Sequence, residues 1–402
     1  MTSATVRMSQ RLSVLAPSAT AAMTGRVAAL RDKGVQVISF SVGEPDFDTP
    51  DLAKNAAIEA IHKNHTHYTP TGGITELRKT VAARISHDQG IGYTANQVSV
   101  TTGAKEALYF AFQALIDEGD EVIIPAPYWV SYVEQVRLAG GVPISPRTTE
   151  EHGFRLTPEQ LRAALTPRTR VIVLNSPSNP TGAVYSAAEL RALADVLADT
   201  EVVVFTDEIY DAITYVPYAR WLRVAPEFAD RTLIFNGAAK AYAMTGWRVG
   251  YVAGPQPMID GIKAIQSHSS THTCSIAQYA ALAAYTPSEE LEAIVQSMAA
   301  QFHKRRDLII DMLAEIPGVS CNVPDGAFYV FPNIEGLLNR PLADGTVCAD
   351  ADQLTDYLLD KAHIAVVGGG AFGAEGYIRL SYATGEADIE AGMRRFAEAV
   401  RG

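Results

Sequence analysis

The stretch that decides the fold is residues 202–210, which read VVVFTDEIY. Its four apolar residues, Val202 to Phe205, are followed at once by Thr206 and the carboxylate of Asp207. A run this short and this apolar is typical of a strand that is covered on both faces, as strands of parallel sheets are. The stretch therefore predicts a buried strand with an acidic side chain at its carboxyl end.

Similar short apolar runs occur elsewhere in the chain, with helical patterns between them. The other runs are Gln97 to Val100, Glu121 to Ile124, Arg170 to Leu174, Leu233 to Phe235 and Arg248 to Ala253. The helical patterns include Lys105 to Ile116 and Ala187 to Leu197. This alternation of strands and helices predicts an α/β fold with a largely parallel sheet.

The chain changes character beyond about residue 290, and its 402 residues exceed the size of a single growing core. We expect an N-terminal arm and part of a small domain in residues 1–45, a large domain in residues 46–290, and a small α+β domain in residues 291–402. The small domain is predicted from a long helix at Met298 to Glu315, strand-like pieces at Ala327 to Phe331, Ile364 to Val367 and Tyr377 to Ser381, and a closing helix at Ala387 to Val400.

Composition excludes several classes of protein. The net charge of −12 disfavours nucleic acid as a partner, and the longest basic run, Lys304-Arg305-Arg306, is interpreted as the solvated face of a helix. Three widely spaced cysteines, Cys274, Cys321 and Cys348, match neither a metal site nor a disulfide framework. We find neither a signal peptide nor an apolar segment long enough to cross a membrane, so we expect a soluble, cytoplasmic protein.

Chemically suggestive residues follow the predicted strands, where ligands bind in open α/β sheets. The most informative is Lys240, in the run FNGAAKAYAMTGWR at residues 235–248. Its small, uncharged neighbours suit an amine that must lose its proton and form an imine. Asp207 is suited to hold the ring nitrogen of pyridoxal phosphate, a cofactor that stabilises carbanions. Alternatively, Asp207 caps a helix that begins near Glu208.

Further residues after the strands could hold the rest of such a cofactor. Thr102-Gly103-Ala104-Lys105 would offer amide groups to a phosphate if a helix follows, and Arg248 would add a charged contact. A simple turn is the alternative for the glycine. Trp129 could stack on the ring or simply pack in the core. Asn179 and Tyr210 could donate hydrogen bonds to the phenolate oxygen, although Asn179 could also be a loop residue fixed by Pro180.

Together these motifs resemble those of the class I, fold-type I aminotransferases, and most closely those of bacterial aspartate aminotransferases of the prokaryotic subgroup. The likeness extends in order over most of the chain. It is carried by SVGEPDF at 41–47, YTPTGG at 68–73, PYWVSY at 127–132, NPTG at 179–182, DEIY at 207–210, AKAYAMTGWR at 239–248 and IRLSYA at 378–383.

The resemblance implies a large domain with a mostly parallel seven-stranded sheet, and a function for each candidate residue. Lys240 is the Schiff-base lysine and proton shuttle, Asp207 binds the ring nitrogen, and Tyr210 and Asn179 bind the phenolate oxygen. Trp129 stacks on the ring beside the substrate, and Gly103, Ala104, Lys105 and Arg248 lie at the phosphate. Tyr68 reaches the phosphate of a neighbouring subunit, which implies a homodimer. Arg379, Asn179 and Gly43 bind the substrate α-carboxylate, and Lys105 contacts the distal carboxylate.

The expected reaction is transamination, with L-aspartate and 2-oxoglutarate giving oxaloacetate and L-glutamate. Relatives that act on aromatic amino acids or prephenate remain an alternative, because residues 267–274 and 366–370 depart from the usual family pattern. Another pyridoxal phosphate reaction, such as β-elimination, would need the same Lys240 and Asp207.

Three alternatives from other classes are weaker. Gly368 to Gly373 match G-x-G-x-x-G, the fingerprint of a dinucleotide-binding helix, but the chain turns to a strand too soon. His62, His65 and His67 could suggest a metal site, although a solvated helix end explains them better. A regulator with an aminotransferase-like domain would need a DNA-binding module, and no such pattern is visible.

Overall fold

The computed structural model describes residues 7–401, and it contains twelve strands and fourteen α-helices within that range. The strands are β1 Ile38–Ser39, β2 Val98–Thr101, β3 Glu121–Ile123, β4 Val142–Ile144, β5 Thr169–Asn175, β6 Val203–Asp207, β7 Thr232–Gly237, β8 Gly250–Ala253, β9 Tyr329–Val330, β10 Ile364–Ala365, β11 Val367–Gly368 and β12 Ile378–Ser381. The α-helices are α1 Ala19–Asp32, α2 Asp51–His62, α3 Thr75–Gln89, α4 Ala104–Leu115, α5 Ser131–Leu138, α6 Pro158–Ala164, α7 Ala187–Leu197, α8 Trp221–Val224, α9 Ala238–Ala241, α10 Gln256–Ser267, α11 Ser275–Tyr285, α12 Glu289–Ala314, α13 Ala351–Tyr357 and α14 Glu386–Val400.

Seven strands form one sheet in the order β2-β8-β7-β6-β5-β3-β4. The pairs from β7 to β4 are parallel, and β8 is antiparallel to both of its neighbours. The predicted α/β class and mostly parallel sheet are confirmed, and all six predicted strands lie within two residues of the observed ones. The seventh strand, β4, was not among them, because Val142-Pro143-Ile144 is a short edge strand interrupted by proline.

Both faces of the large sheet are buried by helices. On β6 and β7, Val204 and Ile234 face one apolar cluster, while Phe205 and Leu233 face another. Helices α2, α3, α7 and α11 contribute to the first cluster, and α4, α5 and α10 to the second. Because consecutive strand residues point to opposite faces, a strand covered on both sides is apolar at most of its positions. This explains the run at residues 202–205.

The smaller domain combines strands from both ends of the chain. Strands β11, β12 and β9 form an antiparallel sheet, and β1 pairs in parallel with β10, with Ile38 opposite Ile364. Phe40 packs in the same apolar cluster as residues from α12, α13 and α14. The predicted strand at 364–367 is divided at Val366 into β10 and β11, which belong to different sheets. The domain limits proposed from sequence remain a prediction.

Helix α12 contains one clear departure from the sequence interpretation. Arg305, expected on a solvated helix face, is only 7% exposed. Its guanidinium binds both carboxylate oxygens of Asp46, at 2.6 and 3.0 Å, and lies 5.2 Å from the Phe47 ring centroid. The basic run 304–306 is therefore not a uniformly solvated face, because a distant carboxylate and an aromatic ring draw Arg305 inward. Among residues 7–401, none of the helices combines the length and hydropathy needed to cross a membrane.

Candidate active site

A cavity of about 480 Å³ opens where strands β5, β6 and β7 end. Its lining brings together all the site residues predicted from sequence except Tyr68. They are Gly43, Gly103, Ala104, Lys105, Trp129, Asn179, Asp207, Tyr210, Lys240, Arg248 and Arg379. The chain thus gathers residues separated by more than 300 positions. The carboxyl ends of the parallel strands β5, β6 and β7 meet at one edge of the large sheet, and Arg379 reaches the cavity from strand β12.

Asp207 is the last residue of β6 and is only 4% exposed. One carboxylate oxygen accepts a 2.6 Å hydrogen bond from the Tyr132 hydroxyl, and the other accepts from the Ile209 amide at 3.2 Å. Burial raises the pKa of Asp207 to about 6, against the opposing effects of these hydrogen bonds and of Lys240. The helix-cap alternative is wrong, since a turn follows Asp207 and the next helix begins at Trp221.

Lys240 lies on α9, a single helical turn after β7, and its ammonium donates a 2.5 Å hydrogen bond to the Gly43 carbonyl. Burial lowers the pKa of Lys240 to about 8, and the positive charges of Arg248 and Arg379 act in the same direction. Glu44 and Asp207 oppose this shift. A pKa near 8 gives this amine a far larger unprotonated fraction at neutral pH than an ordinary lysine has.

The start of α4 forms a cradle suited to an anion. Gly103 has φ +80°, and α4 begins immediately after it, so the first amides of the helix lack partners within the helix. A Cβ added to Gly103 would lie 2.6 Å from Arg248 Nη2, and one added to Gly250 would lie 2.2 Å from the Ala104 amide nitrogen. Glycine at these two positions therefore lets Arg248 and strand β8 approach the start of α4 closely, and the free amides at that start suit a phosphate.

Arg248 supplies the positive charge beside this cradle. Its guanidinium donates to the carbonyls of Thr245 at 3.1 Å and Thr102 at 3.4 Å. It forms no salt bridge with any carboxylate of residues 7–401. Arg248 also has φ +55°, an uncommon conformation for a residue with a side chain. A cation next to a helix N-terminus repels the helix dipole, so a bound anion would stabilise the arrangement.

Arg379 lies on β12 and is 2% exposed. Its Nη1 donates to the Asn179 side-chain oxygen at 3.0 Å and its Nη2 to the Ser41 carbonyl at 2.7 Å, while its buried Nε has no partner. Its guanidinium lies 4.7 Å from the Tyr329 ring centroid, and burial lowers the pKa of Arg379. Burial excludes a surface ion pair for Arg379. A buried guanidinium with a free donor and no carboxylate among the described residues suits the carboxylate of a ligand.

Asn179 and Tyr210 are both buried at this site. Asn179 binds Arg379 through its side chain, and its backbone amide donates to the Asn175 side chain at 2.8 Å, so it is more than a loop residue fixed by a proline. The Tyr210 hydroxyl lies 2.8 Å from the Tyr329 hydroxyl, and burial raises the pKa of Tyr210 well above its ordinary value.

Trp129 and Lys105 form the other side of the cavity. The Lys105 ammonium lies 5.0 Å from the Trp129 ring centroid, and Trp129 makes an edge-to-face contact with Tyr132 at 5.2 Å. Lys105 keeps contact with solvent, yet partial burial and the nearby Arg248 lower its pKa. The lysine thus combines an exposed helix position with a place in the cavity lining, where it can meet a charged group of a ligand.

Tyr68 lies outside the cavity. Its side chain is 90% exposed and contacts the His272 ring edge-on at a centroid distance of 5.6 Å. This position gives it no part in the site of its own chain.

Comparison with known proteins agrees with this geometry. The family model for aminotransferases of class I and II matches residues 35–399. The chain belongs to this family. Its members use pyridoxal phosphate, and the enzyme is an aminotransferase that acts on amino acids and oxo acids.

Individual relatives of this aminotransferase match over nearly its whole length. It is 45% identical to the aspartate aminotransferase of Geobacillus stearothermophilus over 392 residues, which covers 97% of this chain and 98% of the relative. It is 46% identical to the aspartate/prephenate aminotransferase of Cereibacter sphaeroides, covering 94% of this chain and 95% of the relative. The structure of Thermus thermophilus aspartate aminotransferase with maleate superimposes with a TM-score of 0.92 at 41% identity, covering 98% of this chain and 99% of that one.

Sequence reasoning missed several residues of the aminotransferase site. Tyr132 ends the PYWVSY motif at 127–132, but no function was predicted for it. In the structure its hydroxyl donates a hydrogen bond directly to Asp207. Tyr329 and Glu44 also line the cavity, as do Ser18 and Thr20 at the start of α1. Tyr329 follows no strand end, and the N-terminal residues precede every predicted element, so no local pattern marks them.

The remaining alternatives from other classes find no support in the structure. Gly369–Phe372 is a short 3-10 turn between the antiparallel strands β11 and β12, so the glycine-rich segment is not part of a βαβ unit. His62 ends α2, and His65 stacks on the Tyr279 ring at 4.3 Å. Among the described residues, no three His, Cys, Asp or Glu side chains are grouped as metal ligands would be.

Proposed function

We propose that this aminotransferase transfers the amino group of L-aspartate to 2-oxoglutarate, giving oxaloacetate and L-glutamate. The observation that carries the proposal is that Lys240, with a pKa of about 8, and the buried Asp207 line one cavity together with Arg379. Relatives at 43% to 45% identity over their full lengths bear the name aspartate aminotransferase, which favours aspartate as substrate.

Pyridoxal phosphate fits the residues of this cavity. Lys240 would hold the cofactor covalently through its side-chain nitrogen, and Asp207 would bind the ring nitrogen. Tyr210 and Asn179 would bind the phenolate oxygen, and Trp129 would lie on the ring. The start of α4 at Gly103, Ala104 and Lys105 would take the phosphate together with Arg248, whose close approach glycine at position 103 allows. When bound, the cofactor supplies an electron sink for negative charge on the substrate α-carbon.

Lys240 and Asp207 divide the proton chemistry between them. Lys240 is the base that removes the proton from the substrate α-carbon and later returns a proton, a role for which a pKa near the working pH is suited. With pyridoxal phosphate bound, ionised Asp207 would hold a proton on the ring nitrogen. The Tyr132 hydroxyl and the Ile209 amide keep that carboxylate ionised and oriented.

Substrate selection is assigned to two cations. Arg379 holds the α-carboxylate, with Asn179 and the Gly43 backbone beside it, because its planar guanidinium can make two parallel hydrogen bonds. Lys105 attracts the distal carboxylate of aspartate or glutamate. A cavity with two cations for one substrate suits dicarboxylic amino acids.

The proposed active unit is a homodimer. Tyr68 is almost fully exposed and does not line the cavity of its own chain, as expected of a residue that serves a neighbouring subunit. In the dimer, its hydroxyl would donate to the phosphate in the partner's site.

A second candidate function is amino transfer to prephenate or aromatic amino acids. It is favoured by the Cereibacter sphaeroides relative, whose name includes prephenate. β-Elimination would require the same Lys240 and Asp207 and differs in the product that is released.

One experiment separates these functions. The visible absorption of purified protein loaded with pyridoxal phosphate is recorded while aspartate, alanine and tyrosine are added in turn, and the oxo acids formed are identified. We expect the spectrum to change most readily with aspartate and oxaloacetate to appear. Lys240→Ala should abolish turnover while the cofactor still binds, whereas Lys361→Ala, a change at a surface ion pair with Asp344, should behave as wild type. A colourless protein, or full activity in Lys240→Ala, would refute the proposal.

A further inference from the structure

A second group of charged side chains lies behind the cavity, outside its lining. Glu208 and Asp211 belong to the turn that follows Asp207, and they are only 3% and 8% exposed. The Arg220 guanidinium binds both, through Nη1 to Glu208 and through Nη2 to Asp211 at 2.9 Å. One side chain therefore holds the turn at two points.

The contacts continue from Arg220 towards α3. Arg220 Nη2 lies 3.4 Å from Asp88 Oδ2, and the same carboxylate oxygen lies 3.5 Å from Arg84 Nε. Gln89, the last residue of α3, donates to both oxygens of Glu208, at 2.9 and 3.1 Å. The end of α3 is thus joined to the turn by ionic contacts and by hydrogen bonds.

The same chain of contacts reaches the helix that carries Lys240. Arg84 donates to the hydroxyl of Tyr242, which follows α9 and lies two positions after Lys240. Arg84 also lies 5.7 Å from the ring centroid of Tyr285. A continuous series of polar side chains therefore runs from the turn after Asp207 to the helix of Lys240, through α3.

The composition of this group favours rigidity. It contains the guanidinium groups of Arg84 and Arg220 and three carboxylates, those of Asp88, Glu208 and Asp211. Burial raises the pKa of the Glu208 carboxyl. Arg223 fixes the end of α3 as well, donating to the Asp88 carbonyl at 2.6 Å. Without Arg220, two buried carboxylates would lose their main cation, which is strongly unfavourable. A lysine keeps the charge but lacks the planar fork that can bridge two carboxylates.

We propose that Arg220 is a positioning residue of this aminotransferase. Through Asp88, Arg84 and Tyr242 it couples the turn after Asp207 to α9 and so sets the relative placement of Asp207 and Lys240. The inference rests on the proposed function, because it concerns the two groups assigned to the chemistry. None of the coupling residues lines the cavity, so their effect is exerted through the backbone that carries Asp207 and Lys240.

Two mild variants test the coupling. Arg220→Lys keeps the charge. Tyr242→Phe removes one hydroxyl and leaves the edge-on contact of ring 242 with Tyr285, at a centroid distance of 5.4 Å. Arg191→Lys is the matched control, since Arg191 also bridges two carboxylates, Asp195 and Glu227, but on the surface. Hydrogen exchange by mass spectrometry, measured on the purified full chain, follows the segments 207–213 and 238–244.

We expect each variant to speed hydrogen exchange in the segment that the altered side chain does not contact. Tyr242→Phe should speed exchange in 207–213, and Arg220→Lys should speed it in 238–244, each by about threefold or more. With pyridoxal phosphate bound, kcat should fall about fivefold or more with little change in KM. The visible absorption of the cofactor-loaded protein is also followed as a function of pH. The pH at which its change is half complete should move by about half a unit, because the charged groups that face Lys240 are displaced. These groups are Glu44, Arg248, Arg379 and Asp207.

Other results would overturn the coupling. If both variants lower only the melting temperature, speed exchange only near the altered residue, and keep the wild-type kcat and absorption midpoint, the network is merely structural. Should Arg220→Lys fail to fold, Tyr242→Phe decides the question. A wild-type protein that neither binds pyridoxal phosphate nor transaminates would refute the proposed function, and the exchange data would still decide whether the two segments are coupled.

Discussion

The Tyr132 hydroxyl lies 2.6 Å from a carboxylate oxygen of Asp207, and both side chains are almost fully buried. A hydrogen bond to a buried carboxylate favours its ionised form, and burial disfavours it. Among the groups that oppose the effect of burial, the Tyr132 hydroxyl contributes most to keeping Asp207 ionised at the end of β6.

Replacing Tyr132 by Phe removes this hydrogen bond and raises the pKa of Asp207 further. Hydrogen bonds to charged groups contribute about 1.5–3 kcal/mol, which corresponds to about a 10- to 100-fold loss in kcat/KM. Steady-state kinetics and the affinity for pyridoxal phosphate measure the effect. Tyr185→Phe is the control, since Tyr185 is a buried tyrosine that accepts a hydrogen bond from the Leu156 amide outside the main cavity. Equal behaviour of the two variants would show that Tyr132 has no special role.

Asp207→Asn should stabilise the protein without its cofactor while abolishing transamination. The pKa of Asp207 is raised from 3.8 to about 6 by burial, so its contribution to stability is present below about pH 4 and is lost as the pH rises through about 6. Asparagine does not titrate, so its contribution to stability at this position does not depend on pH. The variant should therefore exceed wild type in unfolding free energy by about 3 kcal/mol above about pH 7, and by little near pH 4.

Urea unfolding of both apoproteins at several pH values measures this difference. A stability difference that does not change with pH would contradict a buried, titrating Asp207.

Lys105→Ala should raise KM for aspartate far more than KM for alanine. The Lys105 ammonium lies in the cavity beside Trp129 and would lose a charge-assisted contact with the distal carboxylate, so we expect about a tenfold difference or more between the two substrates. Kinetics with both amino donors give the ratio. Lys79→Ala, on the exposed face of α3, serves as the control, and equal effects on both donors would remove the distal-carboxylate role of Lys105.

Mixing two inactive or weakened variants tests whether Tyr68 serves the partner's site. In a heterodimer of Tyr68→Ala and Lys240→Ala subunits, one site would contain both native residues and the other neither. After subunits are unfolded and reassociated at random, about half of the dimers are mixed, so the activity should approach about a quarter of wild type. Activity no higher than the average of the two separate variants would show that each site is built from one chain.

Much of this aminotransferase could be predicted from local sequence. Most residues of the buried strands are apolar, so the positions of Asp207 at the end of β6 and of Lys240 after β7 were visible, and the geometry of parallel sheets brings such positions together. The edge strand β4 was not predictable, because Pro143 and partial exposure remove the apolar pattern.

Contacts between distant parts of the chain could not be predicted from local sequence patterns. Arg305 is buried because Asp46 lies opposite it, 259 positions away, and a basic run alone gives no sign of that partner. Tyr132 reaches Asp207 across 75 positions, and Arg84 reaches Tyr242 across 158. Side-chain pairing of this kind depends on how helices pack on the sheet, which periodicity does not specify.

The parallel pairing of β1 with β10 joins residues 38–39 to residues 364–365. During synthesis on the ribosome, the first of these strands emerges more than 300 residues before the second, whereas every strand of the seven-stranded sheet has emerged by residue 253. We therefore expect the nascent chain to complete the large sheet first. Strand β1 then stays unpaired until β10, near the end of synthesis, has been made.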